Sequence, residues 1–377
     1  MILIGIFGVA LIAIVLLEAF EAIVLPRRVT RRFWLTKLFY RFTWEPWAWM
    51  ARKIVSARRR ENYLGVYGPL SLLVLLAIWA AGLVFGFAML HWSRGSRLNI
   101  TEGAAGFGDY LYLSGTTFFT LGFGDVVPLD QTGRALAVLE AGMGFAFLAL
   151  IIGYLPVIYQ GFSRREVNIS LLDARAGSPP TSTELLRRHR DNMQELERLL
   201  RDWERWSADL MESHLSYPVL CYYRSQHNNQ SWIAALTAIL DTCALVMVGV
   251  EGAPARQARL TFAMARHAVV DLSQIFNTEP RPPSPDRLTA DDFLRLRAAL
   301  ARCNVKLSDG AEAEQKLAEL RAMYEPYVYS LADYLFMPIP RWLPATTKLD
   351  NWQTSAWGKA SAGTSAQAAL EDKDELI

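Results

Sequence analysis

Residues 120–125 read Thr-Leu-Gly-Phe-Gly-Asp, with the two glycines at alternate positions. Glycine adopts a left-handed backbone at no steric cost. Gly122 and Gly124 therefore permit a run in which backbone hand alternates and successive carbonyls turn toward one side. A ring of such carbonyls can replace the hydration shell of a potassium ion. On this reading the ion-binding residues are Thr120, Leu121, Gly122, Phe123 and Gly124. The Thr120 hydroxyl adds a ring at the inner end, Phe123 wedges outward to hold the diameter, and Asp125 sets the charge of the outer mouth.

Such a backbone must be held at membrane depth, and the surrounding sequence has the means. Hydrophobic residues make up 52 % of the 377, and 12 are tryptophan. Residues 1–17, 65–93 and 141–163 carry no formal charge, and about 20 apolar residues in a helix cross a bilayer. The first stretch lacks the basic start and small-residue cleavage site of a secretory signal, so it reads as a retained anchor. Residues 107–119, FGDYLYLSGTTFF, are apolar but too short to span. They suit a re-entrant half-helix, after which irregular backbone is tolerated only where protein or a water-filled path surrounds it. Its C-terminal end would aim partial negative charge at a cation.

Charge sets the orientation. Between Pro26 and Arg60 there are eleven Lys or Arg and one acid, Glu45, whereas residues 92–131 hold two Arg and four acids. Basic loops stay in the cytoplasm. The N-terminus and TLGFGD are therefore expected outside, and Arg164, Arg165 and everything after them inside, in the plasma or inner membrane. The basic segment also carries Trp34, Trp44, Trp47 and Trp49, which suits a surface lying along the inner headgroups, with anionic lipid as a partner. A packed cytoplasmic hairpin is the alternative.

Thr120 to Asp125 resemble the Thr-Val-Gly-Tyr-Gly-Asp signature of the potassium channel superfamily. The resemblance extends through residues 65–165 to the order of outer helix, pore helix, filter and an inner helix beginning GRALAVLEAGMG. It implies an all-α transmembrane pore in which four chains complete one filter, with no enzyme activity and no cofactor beyond permeant potassium. Hydropathy and charge add an N-terminal transmembrane helix at 1–25 and a basic Trp-rich segment at 26–64. The pore domain follows at 65–162, with outer helix 68–91, pore helix 109–119, filter 120–125 and inner helix 134–160. In simple bacterial members a hinge glycine stands eleven positions after an inner-helix Gly-Arg, and Gly144 stands there relative to Gly133. Three positions depart from the family pattern. Phe123 replaces the commoner Tyr, Phe119 stands where many members have a second Thr, and Thr116 stands where some have a glutamate behind the filter. Glu140 is the candidate substitute, bonded to the pore helix near Thr116 or Thr117. Pro156 removes a helical hydrogen bond and should bend the inner helix. Glu18 and Glu21 mark the end of the first helix and are expected to pair with Arg27 or Arg28.

Residues 163–345 read as a helical cytoplasmic domain and 346–377 as a disordered tail. Thr181 and Glu184 have capping-box spacing, and Leu196, Leu200, Trp203 and Leu210 form a stripe that suits either a coiled coil or packing within the domain. Residues 231–250 are long enough to span but have a polar side at Thr237, Asp241 and Thr242, so a buried helix is expected. A further helical stretch is expected over 289–334. His214, Cys221 and His227 lack a standard zinc spacing. CYYRSQHNNQSW, residues 221–232, could bind a ligand, although helix packing accounts for it more simply. Cys221, Cys243 and Cys303 all follow the last membrane segment, so no disulfide is expected. No nucleotide-binding loop, nucleic-acid motif or arginine-rich voltage sensor is present, which leaves the regulatory ligand unassigned. A weakly selective cation channel is the alternative within transport. A cytoplasmic sensor or interaction module with the pore as output is the alternative outside it.

Overall fold

The computed structural model describes residues 1–25, 35–100, 104–227 and 229–344, and among them there is helix and no strand. The chain is all-α and divides into two compact units, Met1–Gln160 and Gly161–Ile377.

The first unit is built on α1 (Ile2–Ala19), which continues as a π-helical turn, Phe20–Val24. After it come α2 (Leu35–Arg52), α3 (Ala57–Arg94), α4 (Phe107–Phe118) and the first part of α5 (Gln131–Ala176). In lipid, apolar helices gain nothing by hiding from water, so they associate where small residues let backbones approach. Gly82 and Gly86 form such a site. A Cβ on Gly8 would lie 2.8 Å from the Gly86 carbonyl oxygen, and one on Gly86 would lie 2.6 Å from Ile12 Cγ1. This Gly-x-x-x-Gly marks where α1 packs on α3.

Two helices exceed their expected bounds. Outer helix 68–91 lies toward the C-terminal end of α3, and inner helix 134–160 is the N-terminal part of α5. Hydropathy marks only the bilayer-compatible window, whereas at 1.5 Å per residue the 38 residues of α3 extend about 57 Å, well past a ~30 Å hydrocarbon core. Gly95, left-handed at φ 66°, ends α3, and Asp130 starts α5 by accepting the Gly133 N–H at 2.8 Å. The pore helix begins two residues earlier than expected and ends one earlier.

The expected pairing of Glu18 and Glu21 with Arg27 or Arg28 lies outside the described residues. Glu18 caps α2, accepting the Leu35 N–H at 3.0 Å and the Thr36 N–H and hydroxyl at 3.1 and 2.9 Å. A carboxylate suits those unsatisfied N–H groups and the positive end of the helix dipole. The interfacial reading needs correction at two tryptophans. Trp44 packs on Tyr67 at 4.8 Å between ring centroids and Trp47 stacks on Tyr63 at 4.5 Å, so both face protein. Trp34 lies outside the described residues.

The second unit contains the end of α5, then α6 (Ser182–Arg188), α7 (Met193–Ser216), a 3-10 turn (Pro218–Tyr222), α8 (Trp232–Gly249) and α9 (Ala255–Ile275). Helices α10 (Ala290–Arg302), α11 (Ala311–Ala322) and α12 (Glu325–Leu335) complete it. The single stretch expected over 289–334 is thus three helices, interrupted by left-handed Asn304 and Gly310 and again at Met323–Tyr324. Helix α8 is buried on every face from Trp232 to Val246, which explains its membrane-like hydropathy. Its polar side is satisfied inside the unit. Thr237 and Thr242 bond carbonyls of their own helix, and Asp241 accepts from Arg287 at 2.7 Å and from the Tyr324 hydroxyl at 2.5 Å. The stripe on α7 is buried within the same unit, where α7 packs on α9. The expected tail, 346–377, lies outside the described residues.

Candidate functional site

The twelve residues of α4 extend about 18 Å, too short to cross the hydrocarbon core. Its start is fixed by the Asp109 carboxylate, which accepts the Gly106 N–H at 2.9 Å. Its end is fixed by the Thr116 carbonyl, which accepts from the Leu121 N–H at 2.8 Å and the Gly122 N–H at 3.3 Å. The next residues turn in alternation. Left-handed dihedrals fall at Thr120 (φ 56°), Gly122 (φ 57°) and Gly124 (φ 79°), every second residue. Thr120 pays for this with its Cβ, roughly 1–2 kcal/mol, which marks the position as one held by its surroundings. Leu121 and Phe123 are exposed, Phe123 to 67 %.

Asp125 accepts a hydrogen bond from Tyr112 of α4 at 2.7 Å, which holds its carboxyl below the ordinary range. The segment after it is tied to the end of α3, with Asn99 N–H on the Val127 carbonyl at 3.0 Å and Leu129 N–H on the Arg97 carbonyl at 2.8 Å. The Thr132 hydroxyl and the Gly133 and Arg97 N–H groups converge on Asp130, lowering its carboxyl to about 2.

Behind α4 the structure brings together three buried polar side chains from three helices. Ser114 donates to the Val84 carbonyl of α3 at 2.7 Å, and its hydroxyl oxygen also meets the Glu140 carboxyl of α5. His91 of α3 places Nε2 3.8 Å from Glu140 Oε2, beyond hydrogen-bond reach. Glu140 therefore meets the pore helix, but at Ser114. The expected partner Thr116 turns its hydroxyl to the Leu113 carbonyl of its own helix at 3.0 Å, and Thr117 is only half-buried. Ser114 projects on the α4 face toward α5, a helix rotation that residue type alone does not specify. Ser114 and His91 were missed in the sequence because neither carries a formal charge. The available signal was a histidine inside an otherwise apolar stretch, since ionisable residues at membrane depth mark function.

Gly144 lies against the end of α4. A Cβ there would fall 2.0 Å from the Phe118 carbonyl oxygen and 2.8 Å from its carbon. Helix α5 runs unbroken through both Gly144 and Pro156. Val138, Leu139, Phe145, Leu148 and Ile152 leave an exposed apolar face on it.

The other candidates are placed in the second unit. His214 Nε2 lies 3.1 Å from Nη1 of Arg165, and burial together with that guanidinium holds its imidazole well below the ordinary value. Cys221 is buried in the 3-10 turn, and among the described residues no group of three His, Cys, Asp or Glu is arranged to hold a metal. Three side chains of the 221–232 stretch pack within the unit. Tyr222 and Tyr334 hydroxyls meet at 3.2 Å, Arg224 donates to the Phe336 carbonyl at 3.0 Å, and Trp232 donates to the Cys221 carbonyl at 3.3 Å.

Residues 73–160 match the family model described as "Ion channel". This covers α4, the alternating segment and the facing parts of α3 and α5. With its long apolar helices, the chain is a multi-pass membrane protein in which residues 73–160 resemble an ion-channel domain. It is 22 % identical over 250 residues to the uncharacterized membrane protein YdjJ of Bacillus subtilis, covering 64 % of this chain and 72 % of that one. It is also 32 % identical over 94 residues to protein LctB of Geobacillus stearothermophilus and 31 % over 94 to that of Bacillus caldotenax. These two alignments take in 21 % of this chain and 65 % of each LctB protein. No solved structure matches the chain.

The Ser114–Glu140 contact carries a prediction. The single Ser114 hydroxyl proton serves the Val84 carbonyl or residue 140, and when it serves Val84 the residue at 140 must itself donate. Glu140→Gln keeps that capacity and is expected to leave stability within about 1 kcal/mol, whereas Glu140→Ala strands buried polar groups at a cost of roughly 1–3 kcal/mol. Thermal unfolding of the purified variants in detergent compares them. Equal midpoints for the Gln and Ala variants would remove the hydrogen bond from the account.

Proposed function

We propose that four copies of this chain form a potassium-selective channel that conducts passively. The backbone carbonyls of Thr120 to Phe123, with Gly124, replace the hydration shell of the ion. The observation that carries this reading is the left-handed backbone at alternate residues 120, 122 and 124 directly after a half-length helix. In such a run neighbouring carbonyls share a direction, and one chain supplies one strand of the four-stranded cage a dehydrated cation requires. Exposed Leu121, Phe123 and the open face of α5 then pack against other copies.

The rest of the first unit takes supporting roles. Asp125, held ionised by Tyr112, attracts cations to the outer mouth. Ser114 and Glu140 brace α4 from behind, while Gly144 and Pro156 are where α5 yields during gating. The basic segment after α1 supports an N-terminus outside and a second unit in the cytoplasm of a plasma-membrane protein.

Potassium efflux from proteoliposomes containing the purified chain, with sodium as the competing gradient, is the test. Flux with potassium strongly preferred is expected. Flux without preference would leave a weakly selective cation pore, and absence of flux from correctly assembled protein would overturn the reading.

A further inference from the structure

Helix α2 has two apolar faces, and only one of them is occupied. Trp44, Ala48 and Ala51 are buried on the first, where Thr43 Oγ1 also meets the Tyr67 hydroxyl at 2.9 Å. On the other side Leu35, Leu38, Phe42 and Trp49 are exposed, Phe42 to 67 % and Trp49 to 55 %. At 100° per residue these four fall within an arc of about 60°. They form a continuous stripe along the helix rather than scattered surface residues.

Cations border that stripe. Arg41 and Arg52 lie along one flank and are exposed, with Arg41 3.8 Å from Glu45, and Lys53 folds its ammonium over the Trp49 ring at 3.4 Å from the centroid. The turn after α2 continues the pattern. Val55 is 99 % exposed, and Arg58, Arg59 and Arg60 follow it in the first turn of α3, all exposed. That first turn contains no acidic residue. The N-terminal end of a helix dipole is itself positive, so three arginines there are held against the local field. An external anion would relieve it and would also meet the free N–H groups of that turn.

The position of the hairpin limits what that anion can be. Helix α2 is capped by Glu18 in the last turn of α1, and it packs on the segment of α3 where the charge-free stretch begins, at Tyr63 and Tyr67. Both neighbours are apolar enough to cross a membrane. The hairpin therefore lies where a bilayer surface is within reach of its side chains. An apolar stripe with a basic border is the amphipathic pattern of a helix seated among headgroups.

We propose that the exposed face of α2 and the first turn of α3 form a docking surface for anionic phospholipid. Leu38, Phe42 and Trp49 enter the acyl boundary, and Arg58, Arg59 and Arg60 take the phosphate headgroup. The proposal rests on the membrane placement of α1 and α3 and not on ion selectivity, so it can fail or succeed independently of conduction.

Brominated lipids test it directly, because bromine quenches tryptophan at contact. The full chain is reconstituted in phosphatidylcholine vesicles containing a minor fraction of either brominated phosphatidylglycerol or brominated phosphatidylcholine. Quenching by the anionic lipid is expected to exceed that by the zwitterionic one by about two-fold, and to lose the excess in Trp49→Phe and at high salt. The combined variant Arg58→Gln, Arg59→Gln, Arg60→Gln should lose it as well, and the corresponding triple lysine variant should regain it. Equal quenching by the two lipids in the unaltered protein would overturn the proposal. So would an excess that persists in the triple glutamine variant, or one abolished by soluble glycerol phosphate, which would mark a site for a free anion.

Discussion

Gly144→Ala is expected to abolish potassium flux and to lower the stability of the pore unit. The added Cβ would lie 2.0 Å from the Phe118 carbonyl oxygen, 2.8 Å from its carbon and 3.1 Å from its Cα. All three are backbone atoms, so no rotamer change can make room. Either α5 or the end of α4 must shift, and overpacking of this kind costs typically 1–3 kcal/mol per copy. Phe118 is two residues before Thr120, so any shift is delivered to the start of the ion-binding backbone. Gly142→Ala provides the control. A Cβ there meets nothing within 4 Å, and replacing glycine in a helix should stabilise by roughly 0.5–1 kcal/mol. Flux and thermal midpoint measured on both variants separate close packing from a general need for a flexible helix. If the two alanine variants behaved alike, the contact between α5 and α4 would not be the reason for the glycine.

Gly122→Ala is expected to eliminate conduction for a different reason. Nothing within the chain stands within 4 Å of a Cβ at Gly122, but its φ is 57°. An L-residue loses roughly 1–2 kcal/mol in that conformation, and in a four-chain assembly the penalty is incurred four times at one ring of carbonyls. The alternation should then relax and the carbonyls leave their common direction. A D-alanine introduced by chemical ligation carries the same methyl yet favours positive φ, so it should retain flux. Loss of flux in both forms would point to the volume of the methyl in the assembled pore instead of to backbone hand.

These outcomes bear on what a single sequence can disclose. The alternating glycines and the short apolar segment before them were readable because each is a local necessity: φ for Gly122 and Gly124, length for α4. The burial of α8 was readable too, since Asp241, Thr237 and Thr242 interrupt an otherwise membrane-like run. The partner of Glu140 was less accessible. Residues 114, 116 and 117 all offer a hydroxyl, and which one faces α5 depends on the rotation of α4 set by packing. The tryptophans of α2 were misleading for a related reason. Their composition suits a headgroup surface, while two of them are consumed by the tyrosines of α3, a pairing between helices that no local pattern records. The close approach of Gly144 to Phe118 is likewise a property of two helices, and the sequence offers a glycine there without saying what it must make room for.

The two units are held together internally by forces with opposite temperature behaviour. In the second unit α8 is surrounded by apolar side chains drawn together by exclusion of water, a drive that weakens on cooling. The seam where Gly8, Gly82 and Gly86 bring α1 against α3 depends on atom-to-atom fit inside lipid. Near freezing, the seam between α1 and α3 should therefore keep its grip while the core around α8 loosens first, so any cold sensitivity of this protein would originate in the second unit.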